Sequence, residues 1–184
     1  MLEAVNLCKS FEGKPVITGF SQKFLPGVHY GLMGPSGCGK TTLLNLLMGL
    51  LKPDNGEIKG RPKLSAVFQE DRLLEHMTAH GNIRLVCNAP DEAIAQMLLS
   101  LGLPEESLTQ PVAEYSGGMK RRVALARALL ADFDVLFLDE PYKGLDEDTR
   151  RQVRQVVGQH TLNKTVILVT HDPSDAQGLE QVRL

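Results

Sequence analysis

The sequence predicts an α/β fold: a mostly parallel sheet flanked by helices, with an N-terminal antiparallel β layer and a small helical insert. Three observations carry this reading. Short apolar runs recur at Val28–Met33, Leu64–Phe68, Asp134–Leu138 and Lys164–Thr170, the lengths of buried strands. Leucine- and alanine-rich segments with helical spacing lie between them, as at Thr42–Met48 and Val123–Leu130. The first apolar run enters the glycine-rich stretch Gly34-Pro35-Ser36-Gly37-Cys38-Gly39-Lys40-Thr41, and a helix-forming segment leaves it. Strand, loop, helix is the arrangement a phosphate-binding loop needs.

The elements follow in order. Leu2, Ala4, Val5, Leu7 and Phe11 alternate with polar residues, a turn comes at Glu12-Gly13-Lys14-Pro15, and Val16–Phe20 follows. These read as short strands of an antiparallel layer. Phe11 is open to two readings, a core aromatic or a ring that stacks on a purine base. Leu51–Ile58, with Lys, Pro, Asp, Asn and Gly, reads as helix stop and turn. The strand at Leu64–Phe68 ends at Gln69, which could reach a metal ion or serve as an ordinary loop residue. Residues 72–115 carry apolar side chains at near-helical spacing, broken by Pro90, Gly102 and Pro104, and predict an insert of two or three helices. By length the whole chain reads as one domain over 1–184, with 1–71 as β layer and phosphate-loop core, 72–115 as the insert, and 116–184 as the rest of the core.

The glycine stretch fits G-x-x-x-x-G-K-[ST] without a mismatch. Its glycines let successive backbone N–H groups turn toward an anion, and the helix start adds its partial positive charge. Lys40 brings a full charge to the outer phosphates of a nucleoside triphosphate, and the Thr41 hydroxyl suits magnesium. A second anion site is written at Ser116-Gly117-Gly118: Ser116 is a good N-cap, and two glycines bare the first N–H groups of the helix. The plainer alternative is a capped helix with a basic, solvated face at Lys120, Arg121 and Arg122, though helix propensity alone does not explain two adjacent glycines. The run Asp134–Leu138 delivers Asp139 and Glu140 to its end, before Pro141. Two carboxylates beside a core are costly unless they are used. Asp139 suits magnesium, and Glu140 suits orienting an attacking water. A polar helix is expected over Glu147–Gln159. His171 follows the last strong strand, at the sheet edge that also carries Gln69 and Glu140.

Composition narrows the function classes. At 42% apolar and 23% charged residues the chain has the makeup of an ordinary globular protein. A formal net charge of −2 gives no bulk attraction to nucleic acid or anionic lipid. No apolar stretch has the length of a membrane span, and the start lacks the pattern of a signal peptide. Three cysteines without metal-ligand spacing suit a reduced, cytoplasmic compartment.

Taken in this order, the motifs resemble the ATP-binding subunit of an ATP-binding-cassette (ABC) transporter, in feel nearest to bacterial importer ATPases of the nitrate, sulfonate and taurine type. The resemblance covers almost the whole chain. Gly34 to Thr41 is similar to the phosphate loop and Phe68-Gln69-Glu70 to the glutamine loop. Tyr115-Ser116-Gly117-Gly118-Met119 is similar to the signature usually written Leu-Ser-Gly-Gly-Gln. Leu136–Pro141 resembles the Walker B strand with its catalytic glutamate, Gly144-Leu145-Asp146 the D-loop, and His171 the switch histidine. Phe11 falls where the family places its adenine-stacking aromatic. Tyr115 and Met119 depart from the signature, while Ser116, Gly117 and Gly118 keep it.

The resemblance implies a RecA-like P-loop NTPase that hydrolyses ATP with Mg2+ in a head-to-tail dimer. Nucleotide would be bound by Phe11, Gly34, Pro35, Ser36, Gly37, Cys38, Gly39, Lys40, Thr41, Thr42 and Gln69, and by Ser116, Gly117 and Gly118 of the other copy. The metal would lie on Thr41, Gln69 and Asp139, and catalysis would fall to Glu140, His171 and Lys40. The implied use is transport, in the import direction, through a separate multispan permease that holds the chain at the cytoplasmic face of the inner membrane. Import adds a substrate-binding protein as a further partner, and nucleic acid is not expected. The chain ends soon after His171, so no regulatory tail is expected. The rival reading is a non-transport cassette ATPase acting in assembly or repair.

Overall fold

The computed structural model describes residues 1–184. In chain order its elements are β1 (Leu2–Phe11), β2 (Lys14–Phe24), β3 (His29–Met33), α1 (Lys40–Leu47), β4 (Asn55–Lys59), β5 (Leu64–Val67), α2 (Ala79–Arg84), α3 (Asp91–Ser100), α4 (Gly117–Leu130), β6 (Val135–Asp139), α5 (Glu147–His160), β7 (Thr165–Val169) and β8 (Glu180–Arg183). No helix is long and apolar enough to cross a membrane. The chain forms two compact units. One holds Met1–Leu64, Phe133–Asp139 and Asn163–Leu184; the other holds Ser65–Asp132 and Glu140–Leu162.

The first unit has two sheets. β1 lies between β2 and β4 in an antiparallel layer. The β1–β2 turn is Glu12-Gly13, both at positive φ, where the two-residue turn of a hairpin needs them. The alternation in β1 is real: Leu2, Ala4 and Leu7 are buried. β4 corrects the sequence reading of Leu51–Ile58 as turn alone. From Asn55 the chain pairs with β1, and Ile58 lies opposite Ala4. Gly56 permits this: a Cβ there would meet Asn6 O at 2.3 Å. Phe24 and Tyr30 pack edge to face with centroids 5.0 Å apart, and Tyr30 Oη accepts from the Leu25 backbone N–H at 2.8 Å. The ring thus uses both its apolar body and its polar tip.

The second sheet of this unit is parallel and runs β6-β7-β3-β8. Every residue of β6 and β7 is buried, as a strand covered on both faces requires. Leu32 lies opposite Val169, and Val169 opposite Asp139. That register is decisive for the site. It puts the ends of three strands in one row, so the loop after Met33, the carboxylate of Asp139 and the chain leading to His171 all emerge at one sheet edge.

The second unit is mainly helical. Within residues 72–115 the structure has α2, α3 and two short 3-10 turns, Glu105–Ser107 and Val112–Glu114. Thr78 caps α2 by accepting from Gly81 N–H at 3.0 Å. Buried Asn82 has its amide satisfied by Leu74 and Thr78, so its polar head carries no desolvation debt. α4 buries Val123, Ala124, Leu125, Ala126, Ala128 and Leu129, a face wide enough to pack against α2, α3 and α5.

Candidate nucleotide site

In the first unit the phosphate loop lies between β3 and α1, and its glycines are required by its shape. Gly37 has φ 79° and Gly39 φ 105°, conformations that residues with a Cβ rarely adopt. A Cβ on Gly39 would also lie 2.9 Å from Val16 Cγ1 and 3.0 Å from Ile17 Cδ1. A Cβ on Gly34 would come within 2.7 Å of Cys38 Sγ. Pro35, Ser36 and Gly37 are exposed, Thr42 is half-buried, and α1 begins at Lys40.

Lys40 is only 6% exposed, and its ammonium donates to Gly34 O at 2.7 Å and Pro35 O at 2.8 Å. Two of its three donors thus hold the loop curled. Thr41 Oγ1 donates to Asp139 Oδ2 at 3.2 Å, across a sequence separation of 98 residues. Asp139 is 5% exposed. A hydroxyl and a buried carboxylate in contact, beside a glycine loop at a helix start, are two hard oxygen donors of the kind magnesium takes. The same unit places His171 exposed beyond β7 and Phe11 46% exposed at the end of β1. Lys9 Nζ sits 5.7 Å from the Phe11 ring centroid and is held by Asp54 at 2.6 Å. The exposure of Phe11 rules out the core-aromatic alternative.

In the second unit Ser116 caps α4 as its sequence position implies: its Oγ accepts from Met119 N–H at 3.2 Å. Gly117 faces open space, with nothing within 4 Å of a Cβ placed there. Gln69 is exposed in the loop after β5. Glu140 is half-buried and has φ 50°, a left-handed conformation that costs a non-glycine residue about 1–2 kcal/mol.

Residues 17–143 match the family model described as ABC transporter. The chain belongs to that family. It is 36% identical to the Nod factor export ATP-binding protein I of Paraburkholderia xenovorans, over 97% of this chain and 65% of that protein. It is 38% identical to the Fe(3+) ions import ATP-binding protein FbpC 1 of Rhizobium meliloti, over 93% and 54%. It is 36% identical to the aliphatic sulfonates import ATP-binding protein SsuB 1 of Rhodococcus jostii, over 95% and 74%. The chain thus spans less than two thirds of the first two relatives. Among solved structures it resembles an ATP-binding cassette in a dimeric, post-hydrolysis state bound to ADP and Pi. There the TM-score is 0.89 at 26% identity, over 100% of this chain and 94% of that one. The fold is that of a P-loop NTPase.

As an ABC family member, the chain gives physical reasons for one of its signature departures. Tyr115 is buried, and its hydroxyl donates to Ser107 O at 2.6 Å. Burial pushes its phenol pKa upward, so it stays a donor. A leucine would fill the space without that bond. Met119 is half-buried, and nothing in the structure explains its replacing glutamine.

The alternative of a solvated basic face at Lys120, Arg121 and Arg122 does not hold. Arg121 is 6% exposed and donates to the carbonyls of Phe68, at 2.6 Å, and Gln69. Arg122 donates to Leu101 O at 3.2 Å and to Gly102 O. Lys120 pairs with Glu75 at 2.7 Å. Sequence reasoning missed these because adjacent cations on a helix usually face water, and carbonyl acceptors leave no mark in a sequence.

Proposed function

We propose that this chain is the ATP-hydrolysing subunit of an ABC transporter, working as a head-to-tail pair and driving import through a separate membrane permease. The observation that carries the reading is the Thr41–Asp139 contact beside the Lys40 loop. It brings together, from distant parts of the sequence, two oxygen donors that would suit magnesium, beside a loop that would cradle phosphate. Magnesium, when bound, would supply positive charge that neutralises the phosphates. Thr41 and Asp139 would hold it, with Gln69 as a further ligand on the family pattern.

The roles of the other residues are those that the family resemblance implies. Lys40 and the loop N–H groups, Gly34 through Thr42, would grip the triphosphate. Phe11 would stack its exposed ring on the adenine. Glu140 would accept a proton from, and so orient, the attacking water. His171 would steady the γ-phosphate. Ser116, Gly117 and Gly118 would close on the nucleotide of the other copy. Gly117 supports this last assignment. It has ordinary φ and no neighbour to avoid, so nothing inside the chain demands a glycine there. A close approach from outside would.

The partner permease would dock on the stretch from Gln69 to about Leu85 and on the insert, where Leu74, Leu85 and Val86 are 43%, 57% and 47% exposed. The chain would then sit at the cytoplasmic face of the inner membrane, and an import system would add a substrate-binding protein. Import is favoured by the Fe(3+) and sulfonate relatives, whose names state import, over the Nod factor relative, whose name states export. The test is ATP turnover by the purified chain. Parent protein should release phosphate from ATP in a Mg2+-dependent way, and Lys40→Ala should abolish it. Turnover unchanged in Lys40→Ala would defeat the assignment. Co-purification with a multispan membrane protein would separate transport from a role in assembly or repair.

A further inference from the structure

The loop that begins at Phe68 is held by arginines from one helix. Arg121 presents three nitrogens to three acceptors. Nη1 donates to Phe68 O at 2.6 Å, Nη2 donates to Gln69 O, and Nε lies 3.2 Å from Asp71 Oδ1. The last is an ion-pair contact at an angle unsuited to a hydrogen bond. Six residues on, Arg127 donates to Asp71 O at 3.0 Å and Arg72 O at 2.8 Å. Arg72 turns back at φ 50° and lays its guanidinium 3.7 Å from the Phe68 ring centroid. The carbonyls that accept from these two arginines belong to residues 68, 69, 71 and 72, and both arginines belong to α4. Arg121 lies five residues from Ser116, within the same stiff helix.

We propose that Arg121 is a positioning residue that welds the loop bearing Gln69 to the helix bearing Ser116, so that the two shift as one piece. The physical case is the fork. A buried guanidinium is always charged and offers donors in a fixed plane, so it defines the places of two successive carbonyls at once. Charge-assisted bonds in a water-poor site are stronger than neutral ones. A lysine there keeps the charge but loses the rigid planar fork, so it cannot fix both carbonyls and face Asp71 from one plane. A glutamine keeps a donor and loses the charge. Either change frees the Gln69 backbone to move without dragging α4. Only the kinetic arm of the test rests on the ATPase reading; the exchange arm does not.

The experiment compares parent, Arg121→Gln and Arg121→Lys in the full chain by hydrogen exchange and by ATP turnover. Without nucleotide, both variants should exchange amides in residues 68–72 about tenfold faster, while the interior of α4 keeps parent protection. In turnover, kcat should fall about 10- to 100-fold with KM for ATP within about twofold, because Gln69 is displaced and the phosphate loop is untouched. Faster exchange throughout α4 with a lowered melting temperature would mean a merely structural arginine and would overturn the proposal. Parent-like exchange at 68–72 would also overturn it. If the parent itself fails to hydrolyse ATP, the functional reading falls and the exchange arm alone decides. If Arg121→Gln does not fold, Arg121→Lys carries the comparison.

Discussion

The chain has two glycine-marked helix starts, and they are built on opposite principles. At the phosphate loop, Gly37 and Gly39 have positive φ, and Gly39 has Val16 and Ile17 against it. Its charge, Lys40, is tied to the loop's own carbonyls. The loop's shape and its charge are both held by residues of its own unit. At α4 the glycines answer no demand of the chain: Gly117 faces open space, and the serine beside it caps the helix and leaves the tip bare. A glycine that a protein does not need for itself, at about 1 kcal/mol of lost helix propensity relative to alanine, points to a requirement elsewhere. On the proposed function, the first start would be a socket and the second half of one.

The difference can be broken by substitution. Gly39→Ala should have the largest effect: left-handed strain plus overpacking against Val16 and Ile17 costs on the order of 2–5 kcal/mol. The loop should lose nucleotide affinity with it, measured by calorimetric titration alongside thermal melting. Tyr115→Phe comes next. It leaves Ser107 O without its donor and should lower stability by about 1–3 kcal/mol, a drop of several degrees in melting temperature. Nucleotide affinity of the first unit should not change.

A smaller effect is confined to acid. Asp146 caps α5, and the Thr149 backbone N–H holds its carboxyl below the usual range. Its folded pKa is therefore lower than its unfolded one, near 3.9. The stabilisation it gives is present above about pH 4 and is lost as pH falls through the folded value. Asp146→Asn keeps the cap and removes the titration, so the acid limb of the melting profile should flatten. The smallest effect on stability is at Gly117→Ala, which should leave melting unchanged or slightly raised. Turnover should nonetheless fall, which sharpens the contrast with Gly39. A fall in stability at Gly117→Ala would place the need for glycine inside the chain after all.

Much of this was legible in the sequence because it is local. The phosphate loop, the cap at Ser116 and the buried runs of β6 and β7 are written in adjacent residues, and the structure has each of them. The sequence also identified Thr41 and Asp139 separately, and the parallel register of β3, β7 and β6 explains why they meet. What was not legible depends on acceptors and partners far along the chain. β4 begins in turn-forming residues and exists because β1 lies beside it. β8, with charged residues at Glu180 and Arg183, has too little apolar pattern to announce a strand. Arg121 looked solvated because its partners are carbonyls 52 and 53 residues upstream. The left-handed turn at Glu140 has no glycine to mark it.

The claim that α4 offers half a site is tested most directly by the mass of the Glu140→Gln chain in solution with ATP, measured by light scattering. This variant keeps the size and backbone of Glu140 and removes the charge that would orient water. The account predicts an ATP-dependent dimer holding two nucleotides, and a monomer with one when Ser116→Arg is added. A chain that stays monomeric while saturated with ATP, or a dimer indifferent to Ser116→Arg, would contradict it.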